Sequence, residues 1–375
     1  MARTDYESTV LLTGYPSFVA RRMAEQILRN EGNTLLYCVV KNKLAGPAEA
    51  FAQTLPASQR KRLIMLDGDA AAMDMGLSGA EFNEVSSKID RIFHFAHVSY
   101  IDADPKLARH VNVQGAKEAA EMARAAPRLR NLIHLSSAAV SGSRTGVVTE
   151  SDPPSGAPYR TIVEETQAQG EQLIRRSAHR IPLTVLRPSI IIGDCESGEV
   201  DRFDGPYPLI LLILTSPANA SVPLPIRGDL PLNLVPVDFV IRAAHVIGSS
   251  PRAVGRTFHL VDPSPLSARR VFELVAHAAG RRSPRGFVPS YVARSMIRAP
   301  GIARFVKSPR AFLELLATNV RYDAKNTTEI LRNTGVLCPP FESYVDHIVA
   351  YVQSRLRERR RQQDVEMQYA DDPLS

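Results

Sequence analysis

The chain has 375 residues, of which 44% are hydrophobic and 23% charged, with a formal net charge of +7. An apolar fraction of this size excludes a disordered chain, and the length predicts one large α/β domain with an appendage, or two domains. The three cysteines, Cys38, Cys195 and Cys338, are far apart and lack CxxC spacing. That pattern excludes a disulfide scaffold and a zinc ribbon, so we predict no metal site.

No targeting or membrane-spanning segment is recognisable in the sequence. The N-terminal residues lead directly into an apolar run, without the longer apolar core and the small-residue cleavage site of a secretory signal. The most apolar stretch, residues 209–214, is far shorter than the roughly 20 residues that cross a bilayer. We therefore predict a cytoplasmic protein with reduced thiols.

Short apolar runs alternate with amphipathic helical patterns over the first half of the chain. The predicted strands cover residues 10–12, 34–40, 63–66, 91–96, 131–135 and 183–186, and the clearest predicted helices cover 20–29, 106–125 and 164–176. Continuously hydrophobic strands between helices are typical of a parallel sheet that is covered on both faces. Right-handed crossovers then give an α/β fold with a doubly wound, Rossmann-type sheet.

The alternation ends near residue 195, which predicts a change of architecture. We place a Rossmann-type nucleotide-binding core at residues 1–195 and a smaller, mostly helical substrate or cap region at 196–350. Residues 233–262 resume the strand and helix pattern and are predicted to return to the sheet, whereas the charged residues 351–375 are predicted to be a disordered tail. Within the cap, the apolar segment 203–217 is either a buried helix or the wall of a tunnel for an acyl chain.

The first predicted strand leads into a helix through the sequence TGYPSFVA at residues 13–20. Such a junction places free backbone N–H groups and the positive end of the helix dipole where a pyrophosphate can bind. The full dinucleotide-binding fingerprint has three glycines, but here only Gly14 is present, and Ser17 and Ala20 stand at the other two positions. Taken alone, the segment is equally consistent with an ordinary strand-to-helix turn.

From about residue 9 to residue 350, the sequence resembles the extended short-chain dehydrogenase/reductase superfamily, and within it the thioester-reductase and fatty-acyl-reductase-like branch. The resemblance depends on several motifs that follow one another in the family's order and spacing. They are TGYPSFVARRM (13–23), Gly68-Asp69, FHFAHVSY (93–100), VNVQG (111–115), HLSSAAVSG (134–142), VLRPSIIIGD (185–194) and VPVDFV (235–240).

The resemblance implies a nicotinamide dinucleotide cofactor. Lys41 follows the second strand, where a basic side chain suits the 2′-phosphate of NADP and an acidic one would suit NAD. Together with Arg21 and Arg22 near the first helix, Lys41 favours NADP over NAD, and plain surface lysines and arginines are the alternative interpretation. By analogy with the family's motifs, the residues expected beside the cofactor are Thr13, Gly14, Pro16, Ser17, Phe18, Val19, Lys41, Asp69, Ala96, Pro188, Ser189 and Ile190.

Reductases of this superfamily use a serine together with a tyrosine and a lysine that form a YxxxK pattern on one helix. In this chain, Ser137 and Asn112 match the family's serine and asparagine positions. The helix segment VEETQAQGEQLI (163–174) matches the family's pattern almost throughout, but Val163 replaces the tyrosine and Gln167 replaces the lysine. The usual separation of 26 residues between Ser137 and Val163 excludes a shifted alignment.

These two replacements remove the groups that handle the proton. In such reductases the tyrosine supplies a proton to the carbonyl oxygen, the serine donates a hydrogen bond to it, and the lysine lowers the pKa of the tyrosine. Valine has no transferable proton and glutamine has no charge. Loss of positioned acid–base help costs on the order of 10²–10⁴-fold in rate, and loss of an oxyanion partner costs a further ~10²–10³-fold. We therefore predict a retained fold with impaired hydride transfer.

Two other side chains are candidates for the missing acid, and three functions follow. Tyr159 is the nearest phenol, one helical turn before Val163, and His97 follows the fourth strand beside the expected nicotinamide pocket.

The sequence is consistent with three functions. The first is that of a cofactor- or acyl-ligand-binding or regulatory protein. The second is an active NADPH-dependent reductase of an acyl thioester, aldehyde or ketone that uses Ser137 with a non-standard acid. The third is a non-redox isomerase or lyase, which no residue positively supports.

A basic segment bears on the partners of the protein. Residues 281–310 contain eight lysines and arginines and no acidic residue, and apolar side chains alternate with these charges. A basic amphipathic surface favours an anionic partner. We expect a small-molecule or acyl-thioester ligand, and an acidic carrier protein or an active paralogue as protein partner. No nucleic-acid-binding module is recognisable, and the sequence leaves peripheral membrane contact and oligomer formation open.

Overall fold

The computed structural model of the protein describes residues 6–154, 158–224, 228–286 and 319–370, except the side chains of residues 360 and 362–370. These residues fall into two compact units. One unit contains the residues up to 191 together with 233–263 and 319–338, and the other contains 192–232, 264–286 and 339–370. Most of the basic segment 281–310 lies outside the described residues.

Eleven strands are found among the described residues. They are β1 (Ser8–Thr13), β2 (Thr34–Val40), β3 (Leu63–Asp67), β4 (Arg91–His94), β5 (Asn131–Leu135), β6 (Gly146–Val148), β7 (Leu183–Pro188), β8 (Ile190–Ile192), β9 (Leu234–Pro236), β10 (Thr257–Leu260) and β11 (Val320–Tyr322). Seven of them form one sheet in the order β10-β7-β5-β4-β1-β2-β3, and every neighbouring pair is parallel. The predicted parallel sheet is confirmed.

Helices connect most of these strands along the chain. They are α1 (Phe18–Asn30), α2 (Ala45–Thr54), α3 (Ala57–Arg60), α4 (Gly79–Lys88), α5 (Pro105–Arg109), α6 (Gly115–Ala125), α7 (Ile162–Arg176), α8 (Tyr207–Thr215), α9 (Val237–Ser249), α10 (Ala268–Ala278), α11 (Lys325–Leu331) and α12 (Val345–Ala370). A π-helical turn, His110–Gln114, joins α5 to α6. The helix predicted over residues 106–125 is therefore interrupted by this wider turn.

Alternate residues of each central strand are buried on opposite faces of the sheet. In β1, Val10 and Leu12 belong to a core that includes α1 and α9, whereas Leu11 belongs to a second core that includes α6 and α7. The sheet is thus covered by helices on both sides, as the doubly wound fold requires. The strand order reverses between β1 and β4, and in such sheets ligands bind in the crevice at the carboxyl ends of the strands at this point.

Residues 351–370, which were predicted to be a disordered tail, are helical and form the end of α12. The helix is anchored further back, where Ile348, Val349 and Val352 are buried, and residues 371–375 of the predicted tail lie outside the described residues. Beyond that anchor, Arg355 and Glu358 are one turn apart and form an ion pair at 2.8 Å. Such pairs stabilise a helix even where it is exposed.

Residues 319–338 were predicted to belong to the cap, but the structure places them in the unit that contains the sheet. Strand β11 pairs in parallel with β6, and α11 packs on β10 and α9. The carboxylate of Glu150 fixes this segment, since it accepts hydrogen bonds from the hydroxyl of Thr327 (2.8 Å) and from the backbone N–H of His259 (2.9 Å). A strand of three residues gives too short a hydrophobic pattern to be recognised in the sequence.

The apolar segment 203–217 contains α8 in the second unit. Seven of the nine residues of α8 are buried, and the helix packs against α10 and α12. This burial on several sides is typical of a core helix, which was one of the two predictions for the segment. Among the described residues, no helix combines the length and the apolar character needed to cross a membrane.

Candidate cofactor and active site

The turn after β1 brings its backbone unusually close to the segment after β4. Gly14 has φ +90°, and a Cβ atom at this position would lie 2.6 Å from the carbonyl oxygen of Phe95. Only glycine fits there, because other residues rarely adopt this φ and the added atom would overlap the backbone. The predicted role of Gly14 in a tight turn at the switch point therefore agrees with the local geometry.

The other two fingerprint positions tolerate their replacements. Ser17 precedes α1 with φ −56° and ψ 157°, a conformation open to any residue, and its exposed side chain does not cap the helix. Ala20 is fully buried in the core between α1 and the sheet. Since the first N–H groups of a helix lack partners within it, those of Phe18 and Val19 are oriented for an anion, as a pyrophosphate would require. The backbone conformation of this turn thus accommodates serine and alanine at the two positions that lack glycine.

An ion pair lies where the adenosine end of a dinucleotide is expected. The ammonium of Lys41, directly after β2, is 2.8 Å from a carboxylate oxygen of Asp69, which follows β3. Asp69 also accepts the backbone N–H of Ala71 at 3.0 Å. Burial alone would raise the pKa of Asp69, but these partners lower it below its usual range. Lys41 and Asp69, which were each predicted to lie beside the cofactor, are therefore in contact with each other.

A hydroxyl at the end of β1 joins the two segments of the crevice. The Oγ1 of Thr13 accepts the backbone N–H of Ala96 at 3.1 Å and lies 2.9 Å from Nδ1 of His94. The ring of His94 stacks on that of His134 from β5, with 5.5 Å between the centroids. Thr13 and Ala96, both predicted cofactor residues, are thus fixed to each other by a hydrogen bond.

The predicted residues after β7 have structural hydrogen bonds. The hydroxyl of Ser189 donates to the side-chain oxygen of Asn233 at 2.7 Å, and its N–H donates to the carbonyl of Leu260 at 3.1 Å. Pro188 is buried at the end of β7, and Ile190, which opens β8, is half-buried. These contacts hold the chain at the carboxyl edge of the sheet. Because the Ser189 hydroxyl already donates its proton to Asn233, it has no further proton to donate to a cofactor.

A small pocket lies beyond the carboxyl ends of β4 and β5. It is lined by Ala96, His97, Asn112, His134, Leu135, Ser136 and Gln167. Three of these residues, Ala96, Asn112 and Gln167, were predicted site residues, and His97 was predicted as a candidate acid. His134 and Ser136 were not, although His134 was part of the quoted HLSSAAVSG motif.

Asn112, in the π-helical turn, organises one wall of this pocket. Its Oδ1 accepts the N–H of Val98 at 2.7 Å, and its Nδ2 donates to the carbonyl of Val98 (3.1 Å) and to the hydroxyl of Thr166 (3.0 Å). The asparagine therefore joins the segment after β4 to α7. Wide turns of this kind are frequent at functional sites.

The two replaced positions of the YxxxK pattern have different surroundings. Gln167 is buried in the pocket wall, and its amide nitrogen donates to the carbonyl of Val98 at 3.3 Å. Val163, one turn earlier on α7, packs in an apolar cluster with Val98, Ala103 and Ala108. The position that would hold the phenol therefore contributes only hydrocarbon.

Tyr159 does not lie on α7, so the predicted one-turn spacing to Val163 does not apply. The helix begins after Thr161, which is extended (φ −136°, ψ 157°) and whose side chain accepts the N–H of Glu164 at 3.1 Å. Tyr159 precedes this cap and is absent from the residues that line the pocket. The extended cap breaks the periodicity that would have aligned the phenol with the site.

The two serines after β5 have different tasks. Ser137 is half-buried, and its hydroxyl oxygen accepts the N–H of Ala139 at 3.1 Å, which leaves its proton available to a ligand. Ser136 is buried, and its hydroxyl donates to Glu171 at 2.5 Å. Glu171 is in turn paired with Arg187 at 2.6 Å and with Arg175 at 2.7 Å.

The network of Ser136, Glu171, Arg175 and Arg187 was missed in the sequence. Glu171 is completely buried and is one turn after Gln167 on α7. Burial alone would raise its pKa, but Arg187, Arg175 and Ser136 together lower it to about 2, so the group is an anion at neutral pH. A carboxylate on the buried face of an amphipathic helix and an arginine within an apolar strand were the available signals.

The imidazoles around the pocket are neutral at pH 7. Burial lowers the pKa of His134 to about 4, lowers that of His97 below its usual value, and lowers that of His94 well below it. Nδ1 of His97 is 2.9 Å from the carbonyl of Phe95, and because a carbonyl only accepts, this nitrogen carries the proton. A neutral imidazole is a poor acid, so the geometry does not favour His97 as a substitute proton donor at neutral pH.

Comparison with known proteins agrees with this fold and these motifs. The family model described as male sterility protein, an NAD-binding family, matches residues 12–244. The chain is 24% identical to the fatty acyl-CoA reductase wat of Drosophila melanogaster over 62% of this chain and 52% of that protein. It is 27% identical to the nonribosomal peptide synthetase asaC of Aspergillus flavus over 68% of this chain and 26% of that protein.

Solved structures show the same fold. The terminal R domain from the myxalamid PKS-NRPS biosynthetic pathway superimposes with a TM-score of 0.79 at 22% identity, covering 93% of this chain and 91% of the R domain. The UDP-glucuronic acid 4-epimerase from Bacillus cereus, solved in complex with NAD, has a TM-score of 0.65 at 15% identity and covers 92% of this chain and 99% of the epimerase.

The fold and the motifs thus define a short-chain dehydrogenase/reductase-like domain of the thioester- and fatty-acyl-reductase type, with a site for a nicotinamide dinucleotide. Within that class, the chain belongs to the male sterility protein family. It spans about half the length of the fatty acyl-CoA reductase and about a quarter of the synthetase that it matches.

Helix α7 approaches the π-helical turn closely at Gly170, and a substitution there tests this contact. A Cβ atom there would overlap the carbonyl oxygen of Asn112. Replacing glycine by alanine within a helix normally stabilises a protein by roughly 0.5–1 kcal/mol. We expect Gly170→Ala instead to lower the free energy of unfolding by about 1–3 kcal/mol, measured by urea denaturation, because the helix or the turn must move.

Gly79→Ala is the matched control for this prediction, since no atom lies within 4 Å of a Cβ at that helical position. We expect it to leave the stability unchanged or slightly increased. Equal effects of the two substitutions would contradict the proposed contact between α7 and the turn.

The lowered imidazole pKa values predict a loss of stability in weak acid. The unfolded chain has histidines with a pKa near 6.5, so between that value and about 4, the pKa of His134, it binds more protons than the folded chain. Stability should therefore fall as the pH drops through this window, by up to about 3 kcal/mol for His134 alone. Below pH 4.5, protonation of Glu171 should add to the loss until about pH 2.

Denaturation curves at pH 4 to 7.5 measure this effect. His134→Gln removes this imidazole and should flatten the dependence between pH 6.5 and 4. A wild-type stability that is constant between pH 6.5 and 4 would refute the assignment.

Proposed function

We propose that the chain binds a nicotinamide dinucleotide, NADP in preference to NAD, and an acyl-thioester or other small-molecule ligand, but is impaired in hydride transfer. Its role would then be that of a cofactor- or ligand-binding or regulatory protein. The observation that carries the proposal is the pair of replaced positions on α7. Val163 contributes only hydrocarbon to an apolar cluster, and Gln167 contributes a neutral amide to the pocket.

Cofactor binding is supported by the turn after β1. Gly14 permits close approach of the backbone, and Ser17 leaves the first N–H groups of α1 uncapped by its side chain. When bound, a reduced nicotinamide supplies a hydride to a carbonyl carbon. The residues that would hold the dinucleotide are those of this turn, with Lys41 at the end of β2 for a 2′-phosphate.

Impairment is supported by the chemistry of the groups near the pocket. The Ser137 hydroxyl has a proton to donate to a carbonyl oxygen, but α7 provides neither a phenol at 163 nor an ammonium at 167. Tyr159 lies before the helix cap. The remaining donors can orient a substrate, whereas the proton that must accompany the hydride lacks an acidic source.

The second candidate function is an active NADPH-dependent reductase of an acyl thioester, aldehyde or ketone. The observation in its favour is that His97 lines the pocket. Because burial lowers the pKa of His97, such an enzyme would work better in weak acid, where more of the imidazole is protonated. Activity that rises as the pH falls, and that His97→Gln abolishes, would favour this candidate.

Partner proteins follow from the proposed role. We propose an acyl carrier protein or an active paralogue as the partner, in a cytoplasmic setting. The relatives support this idea by analogy only, since one of the matched structures is a thiolation-reductase di-domain from an archaeal nonribosomal peptide synthetase.

Restoring the missing pair is the sharpest test of the proposal. We expect the wild-type chain to bind NADPH, which is measured as a change in NADPH fluorescence. We also expect it to oxidise NADPH with acyl thioesters or aldehydes at only a trace rate. The double variant Val163→Tyr with Gln167→Lys should increase that rate by about 10²-fold or more, because it returns a positioned acid and the cation that lowers its pKa.

Two single variants serve as controls, since each returns only half of the pair and should gain much less. Rapid NADPH oxidation by the wild-type chain would refute the impairment. A double variant that binds NADPH but gains no activity would place the lesion elsewhere.

The proposed preference for NADP assigns Lys41 to the 2′-phosphate, and this assignment can be tested separately. We expect Lys41→Ala to weaken NADPH binding by roughly five- to tenfold, because a 2′-phosphate loses its cation, and to leave NADH binding unchanged. Calorimetric titration with both cofactors measures the ratio. Lys43→Ala, two residues further on, is the matched control. Equal loss for both cofactors would show that Lys41 does not recognise the 2′-phosphate.

A further inference from the structure

The pocket beyond β4 and β5 has room for one small polar group. Its cavity volume is about 10 Å³, and a site for a single water molecule needs roughly 10–15 Å³. A guest can therefore place one oxygen or nitrogen there, while the remainder of the ligand must stay outside. Whether that atom donates or accepts a hydrogen bond depends on which donors and acceptors of the lining residues are still unused.

Ser136 offers an acceptor. Its hydroxyl has one proton, and Glu171, which is an anion, can only accept. The bond of 2.5 Å between them therefore uses the proton of Ser136. Because Arg187 and Arg175 hold Glu171 in place, the direction of this bond is fixed, and a guest would meet only lone pairs on Ser136.

His97 offers a second acceptor. Its Nδ1 donates to the carbonyl of Phe95, so in the neutral ring Nε2 carries a lone pair. No reorientation of the proton is needed to accept a hydrogen bond from a guest. Ser136 and His97 thus both present a hydrogen-bond acceptor to a guest.

Gln167, compared with the lysine of the family pattern, also makes the pocket wall richer in hydrogen-bond acceptors. The lysine of the family pattern would bring a positive charge and three N–H donors and no acceptor. The amide nitrogen of Gln167 already donates one N–H to Val98, and the residue adds a carbonyl oxygen. The replacement therefore removes charge and donors and introduces an acceptor.

His134 adds a further buried polar group to the pocket wall. It lines the pocket, only 5% of its surface is exposed, and its Nδ1 is buried without a hydrogen-bond partner in the described part of the chain. A buried polar atom left without a partner costs free energy.

We propose that this pocket receives the hydroxyl group of a ligand as a hydrogen-bond donor, in preference to a carbonyl oxygen. The inference rests on the proposed function, since it concerns the same ligand site. A hydroxyl donates its proton to Nε2 of His97 or Oγ of Ser136 and still accepts from the remaining N–H of Gln167, whereas a carbonyl can only accept. The site would then select the alcohol of an alcohol–carbonyl pair.

Binding of a matched pair of probes tests this preference. We would titrate the full chain with 2-hexanol and 2-hexanone, which share size and apolar surface, and obtain both dissociation constants by ligand-observed NMR. We expect 2-hexanol to bind about tenfold more tightly, as a hydrogen bond left unmade in a buried site would cost.

Variants locate the preference in the pocket. Ser136→Ala and His97→Leu should each bring the two dissociation constants closer together, and Gln167→Lys should shift the preference towards the ketone. Ser143→Ala, at an exposed serine after β5, is the control and should behave as the wild type. Circular dichroism of each variant confirms that it is folded.

Several outcomes would overturn the inference: tighter or equal binding of the ketone, no binding of 2-hexanol up to its solubility limit, or a preference that all three pocket variants retain. NADPH binding, measured on the same samples, separates this inference from the proposed function. If NADPH binds and the alcohol preference is absent, only the inference fails; if NADPH does not bind, the proposed function fails.

Discussion

The arrangement of the candidate site depends on one buried ion pair, between Glu171 of α7 and Arg187 of β7. Neither side chain has more than 2% of its surface exposed. Removing two charges from water costs several kcal/mol each, and only good geometry offsets that cost. Here the guanidinium reaches both carboxylate oxygens, and the hydroxyl of Ser136 adds a further bond. The pair therefore fixes α7, β5 and β7 in one arrangement.

Because α7 is held in this way, the consequences of its two replaced residues are geometric as well as chemical. Gln167 is one turn before Glu171 and reaches the pocket, and Val163 is one turn earlier again and packs with Val98. Under the proposed function, the helix would keep the two positions of the family's proton-handling pair in place, with a valine and a glutamine there. Asn112, which connects Val98 to Thr166, still holds the facing wall in place.

The parallel sheet and the replaced positions could be predicted because each depends on local sequence. Strands buried on both faces are continuously apolar, and the spacing of Ser137 to Val163 fixes an alignment. The start of α7 was also readable: Thr161 and Glu164 have the T-x-x-E spacing of a helix cap, which separates Tyr159 from the helix.

Other features could not be read from the sequence because they depend on residues far apart in it. The polarity of the pocket follows from a bond between Ser136 and Glu171, 35 residues apart. The fixation of residues 319–338 follows from bonds between Glu150 and Thr327, 177 residues apart. Tolerance of Ser17 followed from its φ and ψ angles, which a missing glycine does not reveal.

The contact between Lys41 and Asp69 has a consequence for how a nucleotide phosphate would be recognised. A lysine that is surrounded only by water gains a complete ion pair when an anion binds to it. Lys41 already has an anion at 2.8 Å, so an incoming phosphate would exchange or share that partner and would also meet the negative charge of Asp69. Discrimination between phosphorylated and unphosphorylated ribose would then be sensitive to ionic strength and increased by neutralising the aspartate.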